Sequence, residues 1–404
     1  VTRVVDPVDQ RALSLFQLVA DPSRESAQRL FERLAAADPV HWDPYTQSWL
    51  IAERSAAVQV LRDGSFSSRP ERLLHPNLPE ADRGALADLL GRQLMFLDGP
   101  AHARLRPVIS RVLSPRRVRA AADSIAAATE RACRRAREGE TFDLVADIAV
   151  PVPLAVISQL LGLPEIDPER LLTMSDAYVR VITGIERTAS EAVSAAVAEF
   201  RQFALEVIRH KRRYPADDGA GELVRQADAL GGLDDEDIAA NLVMLIAAGH
   251  QTTSGLIAVA MLDHLTNRSA ESKADQGEFE LETELARISP SRFIARTATA
   301  DRTIGSRTIS AGQSVLVLLG AVGHTEYQRS RSDHPPRHIA FGEGAHRCPG
   351  AQLARLEAQI VCDQLRDLPL TRTTSDTRWG ANITLPGPTA LPVTCAVSPE
   401  RPHP

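Results

Sequence analysis

Lysine is almost missing from this 404-residue chain: Lys211 and Lys273 are the only two, so arginine supplies nearly all of the 46 basic charges. That usage is expected of a GC-rich bacterial genome. Cysteine is equally sparse. Cys133, Cys348, Cys362 and Cys395 are the only four, and no two stand at metal-ligand spacing, which argues against a zinc site. No long Gly/Ser tract, run of like charge or internal repeat divides the sequence. Length alone would suit two or three domains, but without a linker the reading is one domain over 1–404. The net charge of −6 favours neither nucleic acid nor an anionic membrane. No signal peptide is evident, and the longest apolar stretches fall short of a spanning helix. The expectation is a cytoplasmic protein, and a monomer.

Hydrophobic residues make up 44% of the chain, enough for a large core. Apolar residues with a helical period predict helices over about 116–138, 148–161, 190–213, 235–265 and 350–366. Strand signals are few. Residues 40–42 and 48–52 flank a short turn and predict a hairpin; 314–319 and 391–397 are further candidates. Residues 215–222 and 267–276 look most like loops. The fold class is therefore mainly α with small peripheral β-sheets.

The segment 233–265 is unusual. Asp234 is a plausible N-cap, and Asp235, Glu236 and Asp237 suit the positive helix end. The helix is then apolar on every side, as a core helix is, yet residues 247–255 (AAGHQTTSG) are small and polar. Such groups need either a cavity or hydroxyls turned back onto the backbone. The string FGEGAHRCPG (341–350) is more specific. Gly342, Gly344 and Gly350 permit tight turns and close approach to a flat ligand. Cys348 stands just before a helix whose positive end favours thiolate, and Pro349 is tolerated at a first helical turn. Cys133, Cys362 and Cys395 lie in ordinary helical or strand patterns and read as small buried hydrophobes.

FGEGAHRCPG resembles the haem-binding loop of the cytochrome P450 family, with Phe341, Gly342, Gly344, His346, Cys348 and Gly350 on its pattern. Other marks of that family follow in order along nearly the whole chain. Glu284-Leu-Ala-Arg287 matches its Glu-x-x-Arg pair, which would brace the region beneath the haem; residues three apart share a helix face. LMFLDGPAHARLR (94–106) resembles its Asp-x-Pro-x-His-x-x-x-Arg segment. The resemblance implies that His102, Arg106, Arg296 and His346 hold the propionates of haem b (iron protoporphyrin IX), that Phe341, Gly342 and Gly350 frame it, and that Cys348 ligates its iron. Ala248, Gly249, Gln251 and Thr252 match the oxygen-activating segment, the two small residues leaving room over the iron.

Two departures stand out. The family usually carries Asp or Glu at the position of Gln251, and glutamine cannot ionise. The stretch 321–344 is shorter than usual, so the third arginine expected beside Glu284 and Arg287 is either Arg329 or Arg331. The resemblance implies a helical prism enclosing haem, and a monooxygenase that hydroxylates, epoxidises or couples a small organic molecule, in secondary-metabolite (antibiotic) biosynthesis by analogy. Electrons would come from a ferredoxin and its reductase, docking on Arg104, Arg111, Arg116, Arg117 and Arg347. Substrate contacts are expected from about 75–95, 173–187, 291–293 and 383–384. A peroxide-using haem-thiolate enzyme and a non-catalytic partner of P450-like fold remain alternatives.

Overall fold

The computed structural model describes residues 13–69, 80–137, 141–184, 191–268, 280–330 and 335–395. Its axis is a helix of 34 residues, Asp235–Arg268. A reciprocal cap starts it. The Asp237 N–H donates to the Asp234 carboxylate (2.8 Å) and the Asp234 N–H donates to the Asp237 carboxylate (3.1 Å). Two acids so close need a cation, and Arg92 reaches both, at 2.8 Å from Asp237 and 3.2 Å from Asp234. Beyond the cap, Leu242, Val243, Ile246, Ile257 and Val259 are fully buried. Helices Pro151–Leu161, Glu191–Arg213 and Ala351–Arg366 pack around them.

This long helix corrects one sequence expectation. By its length, and by a mean hydropathy of 1.5 over its most apolar 18-residue stretch within Asp235–Thr266, it could cross a membrane. Its apolar faces are instead spent on neighbouring helices: 72% of that stretch is buried inside the protein.

The largest sheet lies at the periphery and runs in the order Val40–Asp43, Ser48–Ile51, Ser314–Val317, Ile294–Ala298, Phe66–Ser67. The first two strands form the expected hairpin, with Asp43 opposite Ser48. Ser48–Ile51 then pairs in parallel with Ser314–Val317, and Ile294–Ala298 pairs antiparallel with Ser314–Val317, setting Arg296 opposite Val315. Thr141–Asp143, Pro392–Cys395 and Leu370–Arg372 make a second sheet; Arg302–Ile304 and Arg307–Ile309 make a third.

Most predicted helices are present, with altered ends. The helix expected over 116–138 is two, Pro115–Ala120 and Ala122–Arg137. The one expected from 148 begins as a π-turn at Val145–Ala149 before Pro151. Residues 215–222 are only partly loop, because Asp218 caps a helix at Gly219 by accepting from the Gly221 N–H (2.8 Å). Of the loop expected at 267–276, residues 269–276 lie outside the described part of the chain.

Candidate haem pocket

The middle of the long helix is unbroken. Thr252 Oγ1 donates to the Ala248 carbonyl (3.1 Å), Thr253 Oγ1 to that of Gly249 (3.3 Å) and Ser254 Oγ to that of His250 (2.8 Å). The hydroxyls are thus satisfied four residues back, and the helix needs no bulge to hold them. His250 is buried. Its Nδ1 lies 2.8 Å from the Ile246 carbonyl and its Nε2 3.4 Å from Ser175 Oγ. Burial pulls its pKa down and keeps the ring neutral. Gly249 serves packing as well as space: a Cβ there would stand 2.8 Å from the Ile157 side chain.

Ala248, Gly249 and Thr252 face a cavity of about 330 Å³, and the loop 340–350 forms the opposite wall. That loop is folded by its own backbone. The Gly342 N–H donates to Ile339 (2.8 Å) and the Cys348 N–H to Phe341 (2.8 Å). Gly342 and Gly344 adopt φ of +70° and +71°, where an L side chain is strained. At Gly344 space is also lacking, since a Cβ would lie 2.4 Å from the Leu61 carbonyl oxygen. Arg355 stacks 4.3 Å over the Phe341 ring and pairs with Glu282 at 2.6 Å. Glu282 also meets His338 at 2.9 Å, and these two partners hold its carboxyl down at about 2.

Cys348 is the one exposed cysteine of the four, and its exposed surface lines the cavity. The sequence led to an expectation of thiolate from the helix end alone. In the protein without metal, burial pushes the thiol up, against the Gly350 N–H and the charges of Arg106, Arg347 and Arg355, which favour thiolate. Desolvation is the largest of these effects, and the helix that follows begins only at Ala351.

Four cationic or donor groups meet at the cavity's edge. The His102 and His346 rings lie 4.2 Å apart. Arg106 donates to the Arg347 carbonyl (2.6 Å) and Arg296 to its neighbour Ala295 (2.7 Å). Among the described residues Asp98 is the one acid beside them, 3.6 Å from His346, and the Ser68 N–H holds it (3.0 Å). Burial lowers all four pKa values, helped at the histidines by the neighbouring positive charge: His346 falls to about 4 and Arg296 to about 10. His102 Nε2 is buried without a hydrogen-bond partner. A group bringing two carboxylates would answer that excess of donors, and a flat one would suit a slot between a small-residue helix face and a glycine loop. The residues fit haem.

Other expected residues fall differently. Leu94, Met95 and Ser291 line the cavity. Ile383 instead packs in the separate cluster around Leu50 and Leu318, and the Thr384 carbonyl accepts from the Arg292 N–H (2.8 Å). Residues 75–79 and 185–187 lie outside the described part of the chain. Arg117 pairs with Asp217 at 2.6 Å and Arg116 stands 3.8 Å from the same acid. Arg104 donates to the Gly231 carbonyl. Of the proposed basic patch, Arg104, Arg111 and Arg347 have no acid partner among the described residues. Sequence reasoning missed Asp98, which sits inside a motif it had quoted. It also missed Asp176, whose carboxylate accepts from Gln251 Nε2 and which nothing in the sequence connects with that residue.

A family model described as Cytochrome P450 matches residues 283–365. The 20-oxo-5-O-mycaminosyltylactone 23-monooxygenase of Streptomyces fradiae is 32% identical, covering 88% of this chain and 84% of that one. The mycinamicin IV hydroxylase/epoxidase of Micromonospora griseorubida is 30% identical over 87% of this chain and 90% of its own. Among solved structures, the Bacillus subtilis 168 bacillaene polyketide synthase cytochrome P450 PksS superposes with a TM-score of 0.79 at 26% identity, covering 93% of this chain and 97% of that one. With identity sustained over most of each relative, the chain belongs to the cytochrome P450 family and is a P450 monooxygenase.

Proposed function

We propose that the chain oxidises a small, largely apolar organic molecule, with haem b held between the long helix and the loop 341–350. The observation that carries this reading is the convergence of Cys348 with His102, Arg106, Arg296 and His346 on one cavity. Cys348 would ligate the haem iron through its sulfur. The Gly350 N–H and the arginines around it favour charge on sulfur. Arg106 and Arg296, with the two histidines, would pair the propionates through charge-assisted hydrogen bonds. Phe341, Gly342 and Gly350 would flank the ring.

When bound, a thiolate-ligated haem supplies the activation and cleavage of dioxygen. The protein's own part is positioning, exclusion of water and proton supply. Leu94, Met95, Met244 and Leu245 offer an apolar wall to the substrate, and Ser291 a polar point on it. Ala248 keeps the helix face low, and Thr252 presents the hydroxyl that can pass a proton into the cavity.

P450s of this bacterial type take electrons from redox partners. A ferredoxin and its reductase are the proposed pair, docking near Arg347 and Arg111. The macrolide-directed names of two relatives support a secondary metabolite as substrate. The test of the site is the ferrous carbon monoxide spectrum of Cys348→Ser. Loss of the thiolate-type Soret band is expected, and its persistence would overturn the assignment. A Soret shift across a panel of candidate metabolites then identifies the substrate class.

A further inference from the structure

Gln251 occupies the position where the family usually places an acid, yet a carboxylate is there all the same. It comes from another helix. Asp176, on Pro168–Ile182, accepts a hydrogen bond from Gln251 Nε2. Because Gln251 donates to Asp176 through Nε2, its Oε1 is left to accept elsewhere. Contacts on either side fix the register of this helix. Ser175 Oγ lies 3.4 Å from His250 Nε2, and the Tyr178 hydroxyl donates to Gln93 Oε1 (2.7 Å). Asp176 itself is exposed to solvent, Gln251 is half-buried, and Thr252, the next residue, faces the cavity. The three form a path from bulk water to the cavity wall.

We propose that Asp176 supplies the protons delivered at Thr252 and that Gln251 is the positioning residue that holds it in place. The inference rests on the reading of Thr252 given above. A water bonded to Gln251 Oε1 takes the proton of the Asp176 carboxylic acid and passes one to Thr252 Oγ1. As it does so, Thr252 Oγ1 gives up its own hydroxyl proton, turned from the Ala248 carbonyl, to the oxygen substrate being reduced in the cavity. Asp176 is reprotonated from solvent, so each pass moves one proton inward and leaves every group as it began. Glutamine never ionises in this scheme. The acid has moved from the long helix to the helix that crosses it.

The experiment uses the haem-loaded enzyme with Asp176→Asn, Gln251→Glu, the combination of the two, and Thr252→Ala. Asparagine keeps an oxygen for Gln251 to donate to but cannot carry the proton. Asp176→Asn is expected to lower product formed per reductant consumed by about tenfold, with peroxide released. Its ferrous carbon monoxide spectrum and Tm should be unchanged. Adding Gln251→Glu should restore most of the coupling by returning an acid to the long helix. Wild-type coupling in Asp176→Asn, or no recovery in the double variant, overturns the proposal. If Asp176→Asn couples normally while Thr252→Ala does not, only Asp176 falls; if Thr252→Ala also couples normally, the Thr252 reading falls with it. A readout independent of turnover is the thermal-unfolding cycle of Asp176→Ala and Gln251→Ala. The double variant should lose no more Tm than the worse single one, whereas additive losses would show that the two residues do not act as a pair.

Discussion

Arg287 lies 3.4 Å from Asp263, and this contact ties the Glu-x-x-Arg helix (Leu281–Ile288) to the long helix. The same guanidinium holds Glu284 at 2.8 Å, and Arg24 reaches the same Asp263 oxygen, Oδ2. The sequence pointed to Arg329 or Arg331 as the third arginine. Arg329 is largely exposed and stands 3.5 Å from Glu326, and Arg331 lies outside the described residues. Among the described residues, a second arginine of this network comes from the helix Arg24–Ala37, far along the chain from Glu284.

Asp263 therefore compensates two arginines in a mostly buried setting. Asp263→Asn keeps the shape and removes the charge. A loss of about 3 kcal/mol in folding stability is expected, in line with other broken buried pairs. Arg24→Met should cost less, because Arg287 still answers Asp263. Chemical denaturation of the haem-loaded variants measures both; equal losses would mean that Arg24 and Asp263 matter only to each other.

Two glycines of the cysteine loop make a paired test. Gly342 and Gly344 share a positive φ, but only Gly344 is pressed against backbone, at Leu61. Gly342→Ala should cost about 1 kcal/mol from backbone conformation alone. Gly344→Ala adds a clash that the Leu61 carbonyl cannot relieve by rotating, so it should lower Tm further and reduce haem bound per chain. Equal behaviour of the two variants would remove the steric argument.

Arg106→Ala and Arg296→Ala should each weaken haem retention, because each strips a charged donor from a partly desolvated carboxylate. The double variant should retain the least. Haem transfer to apomyoglobin gives the rate, and a wild-type rate in the double variant would count against propionate binding there.

Glu357 gives a pH-dependent prediction. It is buried, its Oε1 has no hydrogen-bond partner, and burial pushes its carboxyl up to about 8 from an ordinary 4.5. The fold accepts it only as the neutral acid. Its unfavourable contribution is absent below pH 4.5 and grows as the unfolded chain ionises; above about 8 the native state ionises too and the cost levels off. Glu357→Gln should therefore raise Tm at pH 8 and change it little near pH 4.5. A Tm gain that is the same at both values would mean the carboxyl is not titrating over that range.

Much of this was legible in the sequence because it is local. A cap, an apolar period and a glycine-framed cysteine each lie within a few residues of one another, so Asp234, the long helix and Cys348 could be read directly. The four donors at the cavity were legible only as matches to a family pattern. What escaped was set by contacts between distant segments. Nothing near Ser48 announces its parallel partner Ser314, nothing near Asp263 announces Arg24, and Gln251 looked like a lost acid because Asp176 belongs to another helix. Ile383 was misplaced for the same reason.

The order of the walls has a consequence for biosynthesis. The cavity draws on residues from Leu94 through Ala354, and its cysteine-bearing side is encoded near the end of that span. A ribosome working from the N-terminus releases the donors His102 and Arg106, then the long helix, then Arg296, and only afterwards Cys348. Until then the nascent chain lacks the thiol proposed to ligate the iron. Productive cofactor capture must wait for almost the whole pocket to emerge, so a stall between the long helix and the cysteine loop would leave a species poised to aggregate rather than to load haem.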